Sequence, residues 1–250
     1  MSRAILITGA SSGIGRALAL EMAGKGYRLG LTARRYELLE ALRDEIHEHY
    51  PGTPVVLRTL DVTDYDRVPM VVREVSDELG GLDIVVANAG VGASGATGDG
   101  QFEKNRHTIN TNLTGAMATV DAAVELFLPA GAGQIVGISS VVAFRGLPGS
   151  AAYCASKAGL AVYLEGVRAE LYRTGIDVTV LYPGFIDTPM NNDLPRRPFV
   201  VDAARGARII TRLIERKVRS STVPVVPWAV LSRLLRILPL RAVARLSSGQ

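Results

Sequence analysis

The stretch Ala4-Ile5-Leu6-Ile7-Thr8-Gly9-Ala10-Ser11-Ser12-Gly13-Ile14-Gly15 decides the fold of this 250-residue chain. A short apolar run enters three glycines spaced Gly-x-x-x-Gly-x-Gly, and a helical pattern follows from Arg16 to about Lys25. A buried strand that turns on glycines into a helix leaves bare backbone N–H groups at the helix N-terminus, where a pyrophosphate binds. The glycines alone would also suit a turn that needs only positive φ, so the rest of the chain has to carry part of the argument.

Outward from that turn, strand patterns recur near 4–8, 27–32, 55–60, 82–88, 134–139, 176–182 and 222–226. Helical spacing fills the intervals, at Tyr36 to His49, Asp64 to Leu79, Glu103 to Leu128, Ala152 to Arg173 and Asp202 to Arg219. Alternation of this kind predicts an α/β fold. Seven parallel strands form a doubly wound, Rossmann-type sheet between two helical layers, and ligands sit outside the carboxyl ends of the strands. A chain of 250 residues buries one sizeable core, so 1–250 reads as a single domain.

Tyr153-Cys154-Ala155-Ser156-Lys157, with Ser140 thirteen positions earlier, is the second informative stretch. A phenol titrates near 10, which makes it a poor acid or base at neutral pH. A Lys four residues on shares its helix face, and a cation there is expected to lower the Tyr pKa towards working pH. Such a pair can pass a proton to or from a substrate oxygen. Ser140 ends the fifth strand pattern, where a hydroxyl can hydrogen-bond that oxygen. Ser139 is its rival.

Taken together, the residues resemble the classical short-chain dehydrogenase/reductase family across nearly the whole chain. The match runs in order through Thr8-Gly9-Ala10-Ser11-Ser12-Gly13-Ile14-Gly15, Asp61-Val62, Asn88-Ala89-Gly90, Asn112, Ser140, the Tyr153/Lys157 pair and Pro183-Gly184. The resemblance implies that Asp61 and Val62 hold the adenine and that Asn88, Ala89 and Gly90 lie beside the cofactor, the Asn partly as scaffold. It also implies that Lys157 holds the nicotinamide ribose, and that Pro183, Gly184, Ile186 and Thr188 line the nicotinamide end. Asn112 then holds a kink and orders a water that relays protons through the Lys. Independently, Thr111-Asn112-Leu113-Thr114-Gly115 interrupts a helical pattern with poor helix formers, a local disagreement that marks functional positions.

Cofactor choice is legible after the second strand. NAD-selective sites carry an acid there for the ribose 2′-OH, whereas this chain reads Leu31-Thr32-Ala33-Arg34-Arg35. Ala33 cannot repel a 2′-phosphate, Arg34 can pair with it through a forked, charge-assisted contact, and Arg35 can add to that. NADP(H) is therefore the expected cofactor, and the expected activity is interconversion of a carbonyl and a secondary alcohol. A non-catalytic nucleotide-sensing protein on the same fold is the alternative, which loss of Tyr153 or Lys157 would have favoured.

The expected substrate walls are Gly92 to Gly100, Val141 to Leu147, and a loop over 184–202. Val142, Phe144, Leu147, Phe185, Met190 and Leu194 suggest a small-to-medium apolar ketone or alcohol. His47, His49 and His107 have no ligand pattern beside them and no metal is implied. Cys154, the lone cysteine, reads as a small buried residue and permits a reducing compartment. The start of the chain lacks the features of a signal peptide, and no window holds roughly 18 uninterrupted apolar residues. A cytoplasmic homodimer or homotetramer is expected.

The charge is unevenly spread. Residues 1–195 sum to −6, and the remainder, from Arg196, to +10. No nucleic-acid motif accompanies the basic part, and Trp228 is the only aromatic residue among the last fifty, so no nucleic-acid partner is expected. Over 228–250, leucines and arginines interleave as in a basic amphipathic helix broken at Pro239. Packing of its leucine face against the protein is the favoured expectation and contact with a membrane surface the alternative.

Overall fold

The computed structural model describes residues 2–92, 95–192 and 197–245. Seven strands form one sheet: β1 Ala4–Thr8, β2 Arg28–Ala33, β3 Val55–Thr59, β4 Ile84–Ala87, β5 Gly133–Ile138, β6 Ile176–Pro183 and β7 Ser220–Val223. Their order is β3-β2-β1-β4-β5-β6-β7, and every pairing is parallel. β1 pairs through Ile5, Leu6 and Ile7 with Ile84, Val85 and Val86, and all five of its residues are buried. A strand covered on both faces cannot alternate polar and apolar residues, which is why the sequence there is a continuous apolar run.

The helices divide between the two faces. On one side lie α3 (Arg67–Leu79), α5 (Gly115–Ala130) and α6 (Ala151–Glu170), which bury Val71, Val75, Val120, Phe127, Leu160 and Leu164 against the sheet. On the other lie α1 (Gly13–Ala23), α2 (Tyr36–His49) and α7 (Ala203–Glu215), with Leu18, Met22, Leu39, Leu42, Ile210 and Ile214 in the core. The doubly wound, three-layer expectation holds. α7 illustrates the local logic. Asp202 caps it by accepting from the Arg205 N–H at 2.7 Å, and Ala207, Ile210 and Ile214 recur at helical spacing on its buried face.

The chain leaves β1 towards β2 and β3, then returns to add β4 on the opposite side. Connections to either side of β1 depart in opposite directions, so a crevice opens at the carboxyl ends of β1 and β4.

The long helical pattern from Glu103 is not one α-helix. It runs as α4 (Phe102–Ile109), a π-helical turn over Asn110–Thr114, and α5, so the interruption read from the sequence at 111–115 is real. The whole stretch Phe102–Ala130 is long and apolar enough to cross a membrane by length and composition, yet it buries Val120, Ala123 and Phe127 in the core. Past β7 the tail forms α8 (Trp228–Ile237) and α9 (Leu240–Arg245), broken at Leu238-Pro239 as expected.

Candidate active site

The crevice at the strand ends collects most of the residues singled out in the sequence. Gly9, Ser11, Ser12, Gly13 and Ile14 form one wall, Arg34, Arg35, Asp61 and Val62 the end beside β2, and Asn88, Ala89 and Gly90 the floor. Ser140, Tyr153, Lys157, Pro183, Gly184, Ile186 and Thr188 complete the other end. Gly15 stands behind the wall, against Asn88 and Gly9, and Asn112 behind the floor, against Gly90 and Val91.

Two glycines of the first turn are required for different reasons. Gly9 has φ +68°, and a Cβ there would lie 2.7 Å from the Ala89 Cα. Gly15 is helical, but its Cβ would come within 2.5 Å of the Asn88 side-chain nitrogen and of the Gly9 carbonyl oxygen. α1 starts at Gly13, earlier than the pattern from Arg16 suggested, and Ser12 precedes it in extended conformation without a side-chain capping bond. The first-turn N–H groups therefore face the crevice unpaired by a cap, the arrangement that binds phosphate. These features fit a dinucleotide pyrophosphate.

Asn88 is structural at its side chain. Its Nδ2 donates to the Thr8 carbonyl at 2.8 Å and the Gly9 carbonyl at 3.3 Å, and its backbone N–H donates to Thr8 Oγ1 at 3.1 Å. Ala89 N–H donates to the same hydroxyl at 3.1 Å. Thr8 opens the family motif but the sequence reading gives it no role, although a hydroxyl just before the glycine turn is the signal that points to one.

At the β2 end, Ala33 is buried and both arginines reach the rim. Arg34 Nη1 lies 3.7 Å from Asp61 Oδ2, and Arg35 Nη2 donates to Ser11 and Ser12 Oγ at 3.2 Å each. Burial pushes the Asp61 carboxyl upward. Hydrogen bonds from Thr63 N–H and Oγ1 together with the Arg34 charge outweigh it and hold the pKa below its ordinary value.

Asn112 is fully buried within the π-helical turn and brackets one backbone unit. Its Oδ1 accepts from Val91 N–H at 2.7 Å, and its Nδ2 donates to the Val91 carbonyl at 2.9 Å and to Ser156 Oγ at 3.2 Å. The bracket ties the strand end carrying Asn88-Ala89-Gly90 to α6. Ser156, which sequence reasoning missed, donates in turn to the Tyr153 carbonyl at 2.8 Å.

Ser139 and Ser140 separate cleanly. Both line the crevice, but Ser139 Oγ donates to the Lys157 carbonyl at 2.8 Å and is committed to holding the helix, whereas the Ser140 hydroxyl pairs with Tyr153. Ser140 also accepts from Val142 N–H at 3.3 Å, opening the 3₁₀ turn Val141–Phe144.

The expected lowering of the Tyr153 pKa does not occur. Burial drives the phenol up to about 12, against the smaller pull of the Ser140 hydrogen bond. Burial also lowers Lys157 to about 8. Desolvation disfavours the charged form of each group, and here it outweighs the expected help of a shared helix face.

Other expectations need correction. Phe144 does not stand free as a substrate wall; its ring packs on Tyr182 at 4.6 Å and carries the Arg236 guanidinium at 4.7 Å. Phe185 packs on Trp228 at 5.9 Å, while Met190 does line the crevice. Leu194 and residues 246–250 lie outside the described residues, as do 93–94 of the Gly92 to Gly100 segment. Cys154 is buried, as read. His47 and His49 each bond a nearby carbonyl, of Thr53 and Glu45.

The family model for short chain dehydrogenases matches residues 3–198. An uncharacterised oxidoreductase of Mycobacterium tuberculosis (strain ATCC 25618 / H37Rv) is 43% identical over 242 residues, covering 96% of each chain. A 3-oxoacyl-acyl-carrier-protein reductase of Staphylococcus aureus (strain N315) is 35% identical over 195 residues, covering 78% of each. Among solved structures, an alcohol dehydrogenase from the archaeon Thermococcus sibiricus, complexed with 5-hydroxy-NADP, is 28% identical with a TM-score of 0.80, covering 89% of this chain and 95% of that one. With the match spanning sheet, glycine turn and Tyr/Lys helix, this chain belongs to the short-chain dehydrogenase family of oxidoreductases.

Proposed function

We propose that the protein is an NADP(H)-dependent oxidoreductase interconverting a small-to-medium apolar ketone or aldehyde and the corresponding alcohol. The observation that carries the cofactor choice is the rim of β2, where buried Ala33 takes the position of an NAD-selecting acid and Arg34 and Arg35 flank the phosphate end. Arg35 already spans Ser11 and Ser12, and Arg34 stands at the same rim 3.7 Å from Asp61, which supports recognition of a 2′-phosphate there by charge-assisted contacts.

In this reading the bound nicotinamide supplies or accepts the hydride, and the protein does the rest. Ser140 orients the substrate oxygen. Tyr153, protonated across the physiological range, donates its proton to that oxygen as the alkoxide forms and recovers it in the reverse direction. Lys157, buried beneath Gly90 and anchored on the Ile138 carbonyl, presents its ammonium to the cofactor ribose. Asn112 holds the Val91 unit and contributes to proton relay through Lys157. Met190, Ile186 and Pro189 give the substrate end an apolar lining, which supports an apolar substrate over a sugar.

The test is a panel of ketones, aldehydes and secondary alcohols, followed by the absorbance of reduced nicotinamide with each cofactor. Turnover with NADPH well above NADH on apolar carbonyls is expected. A preference for NADH, or turnover of polyols alone, would overturn the assignment.

A further inference from the structure

The tail of the chain carries a surface that the oxidoreductase reading leaves unused. From Arg216 onward the sequence has seven basic residues and no acid. Trp228 and Ser232 are buried on one face of α8, with Trp228 packed against Phe185. Arg145 fixes the far end of that helix by donating to the Leu238 carbonyl at 3.0 Å and the Arg236 carbonyl at 3.4 Å. The helix is thus held on the fold by one side and its C-terminus.

Its other side is a stripe of exposed apolar residues. Val230 is 61% exposed and Ile237 80%, with Leu234 between them, and Val226 at 76% and Leu240 at 76% extend the row at either end. Within α8 the spacing of four and three places Val230, Leu234 and Ile237 along one line, with Val226 just before the helix and Leu240 just past its break at Leu238-Pro239. Arg233 and Arg241, both exposed, flank it. The leucine face expected to pack therefore does so only in part.

We propose that this face of α8 and α9 docks on the surface of an anionic phospholipid bilayer, with the apolar row entering the acyl boundary and the arginines pairing with lipid phosphates. An apolar stripe bordered by basic residues is what interfacial helices require. Charge argues against a second copy as the occupant. A two-fold contact sets a patch against itself, and an acid-free segment would then oppose arginine to arginine with no carboxylate of its own to neutralise them. The proposal is independent of the reaction assigned to the crevice.

Flotation of the full chain with vesicles tests it, comparing phosphatidylcholine alone with a phosphatidylcholine and phosphatidylglycerol mixture across a salt series. Binding to the anionic vesicles alone, weakened by salt, is expected. Replacing Arg233 and Arg241 by Gln should weaken partitioning about fivefold per residue. Ile237→Asp with Leu240→Asp should reduce it at least tenfold while cofactor binding is retained. Should the aspartate variant fail to fold, the glutamine variant still decides. Absence of flotation by folded wild type, or flotation that neither variant alters, overturns the proposal. So does an oligomer that dissociates on the aspartate substitutions without any vesicle binding, which would assign the stripe to a second copy.

Discussion

Lys157 Nζ donates to the Ile138 carbonyl at 2.9 Å and stands 5.9 Å from the centre of the Tyr153 ring. The ammonium is thus tied to the end of β5, beneath the crevice floor. The two groups share a helix face, as their spacing demands, but the sheet decides where the Lys points. Burial then governs the ionisation of both.

That relationship has a consequence for stability. Burial lowers Lys157 from 10.5 to about 8, so between those values the folded chain has released a proton that the unfolded chain retains, and stability rises with pH across that window. Below about pH 8 both states are protonated and the full cost of burying the ammonium is carried. Tyr153, raised from 10.0 to about 12, adds stability that is present below pH 10 and lost as pH rises through 12. Lys157→Met removes the Lys cost, and its stability advantage over wild type should shrink by about 2 kcal/mol between about pH 8 and 9.5. Urea unfolding of both proteins at the two pH values measures this. A gap that stays constant would mean that Lys157 does not titrate in that window.

Tyr153→Phe keeps the ring and removes the hydroxyl, and with it the exchangeable proton and the bond to Ser140. Turnover should fall by at least about two orders of magnitude with cofactor affinity nearly unchanged. Steady-state kinetics and fluorescence titration with reduced cofactor separate the two effects, and retention of more than about a tenth of the activity would remove Tyr153 from the role of acid.

Arg34→Ala removes one charge-assisted contact from the β2 rim. Affinity for NADPH should drop roughly 10- to 100-fold while NADH changes little. Calorimetric titration with each cofactor is decisive, and equal losses would move selectivity to Arg35 or elsewhere.

Asn112→Ala leaves the Val91 N–H and carbonyl without their side-chain partner inside the fold. A loss of about 2 kcal/mol is expected, lowering Tm by about 4–8 °C. The bracket also carries Asn88-Ala89-Gly90, so cofactor affinity should fall together with stability. Unchanged Tm would contradict the bracketing role.

Much of this protein was legible before any coordinate. Continuous apolar runs such as Ala4–Thr8 mark strands buried on both faces, and the 3.6-residue rhythm of Tyr36–His49 gave that helix to the residue. The poor helix formers at 111–115 announced the π-helical turn. Chain order then implied which motifs would meet, because parallel strands bring their carboxyl ends to one edge, and nineteen of the twenty-one positions read as cofactor or catalytic residues line the crevice there. What tertiary structure alone decided depends on neighbours remote in sequence. Desolvation by the surrounding core raised Tyr153 where local spacing predicted a lowering. Tyr182 and Trp228 drew Phe144 and Phe185 into packing. The sides of α8 that meet the fold and those that face outward were likewise set by where that helix lands, since amphipathic spacing defines a stripe but not what covers it.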